Sequence, residues 1–412
     1  LDKTVFVSLL VKHNSGSLKT ENTSMLTAQV VPGGINAARG PDRNTGSTAS
    51  KPGPFDINIF EGAGAVERAA EAWAYLEERG GVATAFQSYP MAAAYGLAHE
   101  RTDAKPRIVV LNKNGKPHIL VPTVITKLFG LPVLRFLGDP FIQYGDIISL
   151  DAEPQDIELA LDVAADPKVA CLAVFRRVRD DARIAAGLAQ KASETANEES
   201  PLVDLNQPST LRAGHVRELR RLRRRLSERG QIKVQFVRGV QALKLVEVAL
   251  HLKQTWLKER GRSSAVIGNA AWEEAISHIC SAPNSPMIAA VITCGNDIAA
   301  VEIAFATPTS WFAFIGAFSP EYAQFGPGQI LAAECIQWAR ENHLSVYDSL
   351  PPSQDYKRRQ ATHAIGVRDY AMPLTTIGQL PASMLKTIPS IKWILNELPD
   401  DVRSMILKLR MR

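Results

Sequence analysis

The stretch from Trp311 to Glu341 constrains the fold of this 412-residue chain more than any other. An apolar run with strand character, Trp311 to Ala317, empties through Phe318-Ser319-Pro320 and Gly326-Pro327-Gly328 into a helical pattern ending near Glu341. The first N–H groups of a helix have no partners inside it, and with the positive end of the helix dipole they favour an anion, typically a phosphate. Gly326 and Gly328 remove side chains where an anion would approach, and Pro327 suits a first turn because it has no N–H to satisfy. The same residues also fit a tight strand-to-helix connection without a ligand, since short glycine motifs recur by chance.

Composition narrows the class. With 46% hydrophobic and 22% charged residues the chain has a globular balance, and its length leaves room for two ordinary domains. The formal charge of +5 is compatible with an anionic ligand and too weak to imply nucleic acid. The cysteines, Cys171, Cys280, Cys294 and Cys335, sit in apolar patterns, none forms a C-x-x-C pair, and the histidines are scattered. That distribution predicts no metal site and no disulfide framework, and a reducing cytoplasm is the simplest compartment. No apolar run approaches the roughly 20 residues of a membrane helix, and Leu1 to Val11 lacks the basic start and long apolar core of a signal peptide.

Residues 1–54 are rich in Ser, Thr, Asn, Gly and Pro from His13 onward and read as a disordered leader. From 55 to 200 the pattern is mixed α and β. Val66, Ala69, Ala70, Trp73 and Leu76 recur at helical spacing, and Ser88 is placed to cap a second helix. Arg107–Leu111 and His118–Pro122 form a hairpin about Asn114-Gly115, and Val133–Leu137 and Val169–Phe175 are further strands around a helix at Gln155–Ala164. Residues 190–209 are polar, contain Pro201 and Pro208, and read as the connection between halves. The second half, 201–372, begins with a basic helix and the strand Gln231–Val237, followed by two helices. Strands Met287–Thr293, Ile298–Ala306 and Trp311–Ala317 come next, then the glycine loop and its helix. Strand Ser345–Leu350, a short helix near Ser353–Ala361 and strand Val367–Ala371 complete it. A tail, 373–412, is predicted to add surface helices.

That element order resembles the GCN5-related N-acetyltransferase (GNAT) fold, in which the glycine loop heading the central helix holds the pyrophosphate of acyl-CoA. Individual segments are similar to one branch, the acetyltransferase-like proteins of bacterial cellulose and exopolysaccharide biosynthesis. They are Phe86-Gln87-Ser88, Leu137-Gly138-Asp139, Tyr144-Gly145-Asp146, Glu228-Arg229-Gly230, Phe318-Ser319-Pro320, Pro327-Gly328-Gln329-Ile330-Leu331 and Tyr356-Lys357. The resemblance runs in order from about 60 to 372. It implies an α/β (α+β) architecture of two tandem GNAT-like domains, the first degenerate, with mixed, mostly antiparallel sheets flanked by helices. The arrangement is similar to the aminoacyl transferases that build peptidoglycan cross-bridges.

The resemblance implies acetyl-CoA as donor, held by Phe318, Ser319, Gly326, Pro327, Gly328, Gln329, Ile330 and Lys357. It implies a sugar or polysaccharide precursor as acceptor, and a polysaccharide-synthase assembly as partner. Two other functions fit: aminoacyl transfer from tRNA, and a scaffold without catalysis. Two positions depart from the family pattern. Ala323 stands where the pyrophosphate motif has Gln or Arg, with Gln324 one residue late, and Gln360 stands where an aromatic often follows Tyr-Lys.

Acyl transfer from a thioester needs alignment, removal of a proton from the acceptor, oxyanion stabilisation and protonation of the departing thiolate. The backbone of Trp311–Ala317 can supply the oxyanion donor. Glu302 lies in an otherwise apolar strand; burial there would raise its pKa and suit it as a general base, unless it faces solvent. Asp348 can orient the acceptor, act as base, or cap the turn that follows it. The resemblance makes Tyr356 the acid for the thiolate, and Lys357 with Arg358 and Arg359 a site for a 3′-phosphate or an anionic acceptor. The helix Arg212–Arg229 carries eight arginines behind a stripe of Val216, Leu219, Leu222 and Leu226, and turns a basic face outward. Cys335, His278 and His343 read as packing residues.

Overall fold

In the computed structural model, residues 55–128, 130–207 and 213–387 are described. The expected leader 1–54, Arg212 and the tail beyond 387 lie outside the described residues. The first half supplies strands β1 (Phe55–Glu61), β2 (Lys105–Lys113), β3 (Lys116–Leu128), β4 (Leu131–Phe136), β5 (Ile148–Ser149) and β6 (Leu172–Arg179). Then come β7 (Ser193–Asp204), β8 (Ile232–Arg238), β9 (Met287–Cys294), β10 (Asp297–Ala306), β11 (Ser310–Phe318), β12 (Val346–Asp348) and β13 (His363–Pro373). The helices of the first half are α1 (Ala65–Arg68), α2 (Ala70–Glu77), α3 (Tyr89–Glu100), α4 (Pro154–Ala164) and α5 (Ala185–Lys191). Those of the second are α6 (Ala213–Ser227), α7 (Leu243–Glu259), α8 (Ala270–Ser281), α9 (Pro327–Glu341), α10 (Asp355–Arg358) and α11 (Thr376–Thr387).

Local chemistry explains several of these elements. β2 and β3 are rich in β-branched residues and flank Asn114 and Gly115, whose φ values of 55° and 72° are what a two-residue hairpin turn demands. Asn269 caps α8 by accepting from Ala271 N–H at 3.1 Å. Ser88 precedes α3 as expected, but its hydroxyl donates to Ala85 O instead of capping the helix.

All strands join one mixed sheet in the order β1-β2-β3-β4-β6-β13-β7-β12-β11-β10-β9-β8, with β5 beside β3. The fold is the mixed α/β architecture that the sequence predicts. Each half repeats one plan: strands β1 to β4, or β8 to β11, pair antiparallel in succession, and the last takes a parallel partner, β6 or β12. The halves then exchange strands. β7 follows β6 in the chain yet pairs with β12, and β13, the last strand of the second half, pairs with β6. β7 and β13 zip together from Ser193↔Ala371 to Leu202↔His363 and close the sheet.

The connection expected over 190–209 is therefore largely strand, and the boundary at residue 200 falls inside β7. Residues 193–199 are mostly exposed and polar, so β7 is held there by backbone pairing to β13, which leaves no apolar alternation to read.

Residues alternate along β10 between two cores. Val301, Ile303 and Phe305 pack with Leu245, Val246 and Ala249 of α7, whereas Ala300 and Ala304 pack with Ile330, Leu331 and Cys335 of α9. Helices α7 and α9 thus cover opposite faces of the sheet. Phe86 joins the halves, its ring 5.6 Å from Phe305, 5.7 Å from Phe312 and 5.9 Å from Tyr144. Burial of such a side chain contributes about 1.5–3 kcal/mol.

Candidate active site

β11 and β12 pair over only three positions, Ser310↔Val346 to Phe312↔Asp348. Beyond Phe312 they part, because β12 ends at Asp348 while β11 continues to Phe318. The β10–β11 register shifts between Ile303 and Ala304 and leaves Phe314 as an extra residue in β11, a bulge that bends the strand away. A cleft of about 510 Å³ fills the gap, and its walls include Glu302, Phe314, Phe318, Tyr347, Tyr356 and Lys357. The edge of β11 from Ala313 on is consequently free of β12 and able to pair with a ligand.

The glycine loop forms the α9 side of the cleft. Gly326, Pro327, Gly328 and Gln329 line it, and no side chain caps α9. Gly326 has φ +58°, and a Cβ there would lie 3.0 Å from Leu222 Cδ1, so backbone and packing both call for glycine. At Gly328 an added Cβ would meet only Phe318 Cδ1, at an ordinary 3.7 Å. Packing does not require glycine there; its effect is to leave the wall bare beside the first-turn amides.

Glu302 is buried at the cleft wall. Trp311 Nε1–H donates to its Oε1 at 3.0 Å, Tyr347 O–H donates at 3.2 Å, and Cys335 also bonds it. Desolvation is the largest influence and raises the Glu302 pKa above the usual carboxylate range, against the lowering effect of those donors. Tyr356 is half exposed in the same cleft, with its pKa raised by burial and then by the Glu302 charge. Lys357 points inward and donates to Leu350 O at 2.8 Å and Pro352 O at 3.3 Å. Burial depresses it to about 8. Arg358 turns instead to Asp355 and Ser353, so the expected basic cluster is not brought together.

Asp348 lies elsewhere. It is fully buried and does not line the cleft. Tyr144 O–H donates to it at 2.8 Å, Ser200 O–H at 2.7 Å and the Leu350 N–H at 2.8 Å, and Arg179 pairs with it at 3.3 Å. It ties β6 and the Tyr144 loop to β12 and caps the turn after it, with no oxygen turned toward the cleft. Ser319 and Ile330 also stand outside the lining; Ile330 is packed in the α9 core. Phe318, Gly326, Pro327, Gly328, Gln329 and Lys357 do face the cleft, as do Glu302 and Tyr356. Leu252, Lys253 and Trp256 of α7 and the buried Gln360 complete it, and sequence periodicity alone does not mark them.

The first-half motifs are explained by packing. A Cβ on Gly145 would lie 2.2 Å from the Phe136 ring, and one on Gly138 2.6 Å from the Tyr95 ring. Asp139 bridges Arg135 and Arg176, and Asp146 accepts from the Ile147, Arg183 and Ile184 N–H groups. Gln87 Nε2–H donates to Tyr144 O at 2.6 Å.

Residues 213–358 match the family model of an acetyltransferase (GNAT) domain, a range that contains the glycine loop and the cleft lining except Gln360. Solved structures agree on the fold over a longer span. The crystal structure of FemX is 10% identical, with a TM-score of 0.56 over 76% of this chain and 98% of that one. The C-terminal domain of a protein described as a lysylphosphatidylglycerol synthetase, from Agrobacterium fabrum, is 13% identical, with a TM-score of 0.51 over 78% of this chain and 95% of that one. No curated protein matches the sequence. No helix among the described residues is long and apolar enough to cross a membrane, and no group of three or more His, Cys, Asp or Glu among them could hold a metal ion.

Proposed function

We propose that the chain is an acyl-CoA-dependent acyltransferase that moves an acetyl group to a sugar or polysaccharide precursor. The observation that carries this reading is the uncapped start of α9, opening into a cleft whose other wall is the unpaired edge of β11. The Gly328 N–H and the positive end of the α9 dipole receive the donor's diphosphate, the Gln329 and Ile330 N–H groups being turned to Gly326 O, and the donor's acyl arm runs along β11, where a backbone N–H polarises the thioester carbonyl. Glu302 takes the proton as an acceptor amine or hydroxyl attacks that carbonyl. The C–S bond then breaks, and Tyr356 returns a proton to the sulfur. Deprotonated Glu302 is the working form, and its raised pKa brings it nearer the acceptor's.

Titration calorimetry with acetyl-CoA tests the donor site: saturable binding in the parent protein, and its loss in Gly328→Phe with the fold intact, is the expected result. No binding by the parent protein overturns it. The polysaccharide setting rests on the branch resemblance; assay against neutral and charged saccharide acceptors, followed by release of the CoA thiol, decides it.

A second reading is aminoacyl transfer from tRNA. One observation favours it: α6 flanks the glycine loop, with Arg225 5.4 Å over the Phe325 ring and the exposed Arg217, Arg220 and Arg224 on the open side. It predicts tRNA retention on a filter with a steep salt dependence, which substitution of those arginines flattens. The non-catalytic scaffold predicts neither behaviour.

A further inference from the structure

The cleft is lined from both faces of the sheet: the α9 loop forms one end, and Leu252, Lys253 and Trp256 of α7 form the other, here called the α7 mouth, with Arg260 and Arg262 outside the lining. At the α7 mouth the Trp256 ring is surrounded by cations: Lys253 Nζ at 4.5 Å, Arg260 Cζ at 4.4 Å and Arg262 Cζ at 6.0 Å from its centroid. Lys253 also reaches Gly316 O at 3.5 Å, and Gly316 pairs with Glu302 in the β10–β11 register. Among the described residues no carboxylate forms an ion pair with Lys253, Arg260, Arg262 or Lys357. Like charges gathered without a counter-ion repel, and the indole face only partly offsets this. Glu302 and Asp348 partly offset the Lys357 charge, whereas the charge that bears on Lys253 is that of Arg260.

We propose that the α7 mouth is an acceptor subsite for an oxyanion, so that the acceptor carries a phosphoryl or carboxylate group held by Lys253, Arg260 and Arg262. This rests on the assignment of the α9 mouth to the donor. The oxyanion bound there sits on the far face from the donor diphosphate, and the acceptor's nucleophile extends inward along β11 toward Glu302. Burial, with the Arg260 charge second, lowers the Lys253 pKa, and a bound anion would reverse that.

Calorimetry on the full chain separates this from the donor reading. Glucose 6-phosphate, glucuronate and glucose are titrated with and without saturating CoA. The expected result is at least tenfold tighter binding of glucose 6-phosphate or glucuronate than of glucose. Which of the two is preferred identifies the group. Lys253→Met and the exposed Arg260→Gln each remove most of that preference while CoA binding stays within about twofold. Arg260→Gln keeps the test available if Lys253→Met does not fold. No preference for the anionic sugars, or a preference that survives both substitutions, overturns the subsite. Loss of CoA binding in both variants also overturns it, because the cations then serve the donor. Failure of the parent protein to bind CoA, with the sugar preference retained and sensitive to both substitutions, overturns the donor assignment and supports the subsite.

Discussion

The two halves lay the same sheet plan down twice and treat the gap between their parallel strands in opposite ways. In the second half β11 and β12 diverge onto an open cleft headed by bare glycine. In the first half β4 and β6 also pair over three positions only, Val133↔Leu172 to Arg135↔Val174. There the chain fills its own gap: Gly145 N–H donates to Arg177 O, and Asp139 is clamped between Arg135 and Arg176. One repeated geometry is therefore left open as a cleft in one half and plugged as a joint in the other. The plug reaches across, because Tyr144 beside it binds Asp348 of the second half.

The sharpest test of this contrast is Glu302→Gln, which keeps the shape of the open gap and removes the proposed base. It is expected to lower kcat by about 10²–10⁴-fold with little change in acetyl-CoA binding, measured by steady-state kinetics and calorimetry. On the joint side, Asp348→Ala leaves Arg179 without its buried partner. A loss of about 3–5 kcal/mol in urea unfolding is expected, and an unaltered midpoint would contradict the joint. Between two glycines, Gly145→Ala is expected to cost about 1–3 kcal/mol by overpacking against Phe136. Gly328→Ala should leave stability nearly unchanged and weaken only donor binding. Thermal melts and titrations of the pair read this directly.

The smallest effects are in pH. The rate should rise with pH as Glu302 loses its proton, with a midpoint above the ordinary carboxylate value, and Glu302→Gln should abolish that limb. Burial lowers the Lys357 pKa in the folded chain to about 8, below the ordinary lysine value of 10.5. Between those values the unfolded chain holds a proton that the folded chain has shed, so stability rises with pH across that window. Lys357→Met should remove the rise in urea midpoints.

Legibility in the sequence followed the source of each element's stability. The Asn114-Gly115 hairpin and the Gly326–Gly328 loop depend on local backbone chemistry and could be read directly. So could Glu302, a lone acid in an apolar strand. β7 could not, because its stability comes from a partner more than 150 residues away in sequence, as the Ser193↔Ala371 pairing shows. Asp348 has the same residue type and spacing whether it works as a base or a buried tie; only Tyr144 and Arg179, brought from the other half, decide between them. Lys253 looks like the solvated side of an amphipathic helix, and Trp256 like the end of its apolar stripe, until β11 bends away beneath them.

The exchange of β7 and β13 bears on how the molecule can be made. As the chain leaves the ribosome, β6 emerges with one edge unsatisfied, and its neighbour arrives only when translation reaches His363–Pro373. The first half must wait, with an exposed strand edge, for nearly the whole chain to be synthesised, a state open to mispairing. Neither half is therefore a separable module: cutting the chain between them strips each of the strand that finishes the other, and expression as two pieces succeeds only if the fragments meet and interlock.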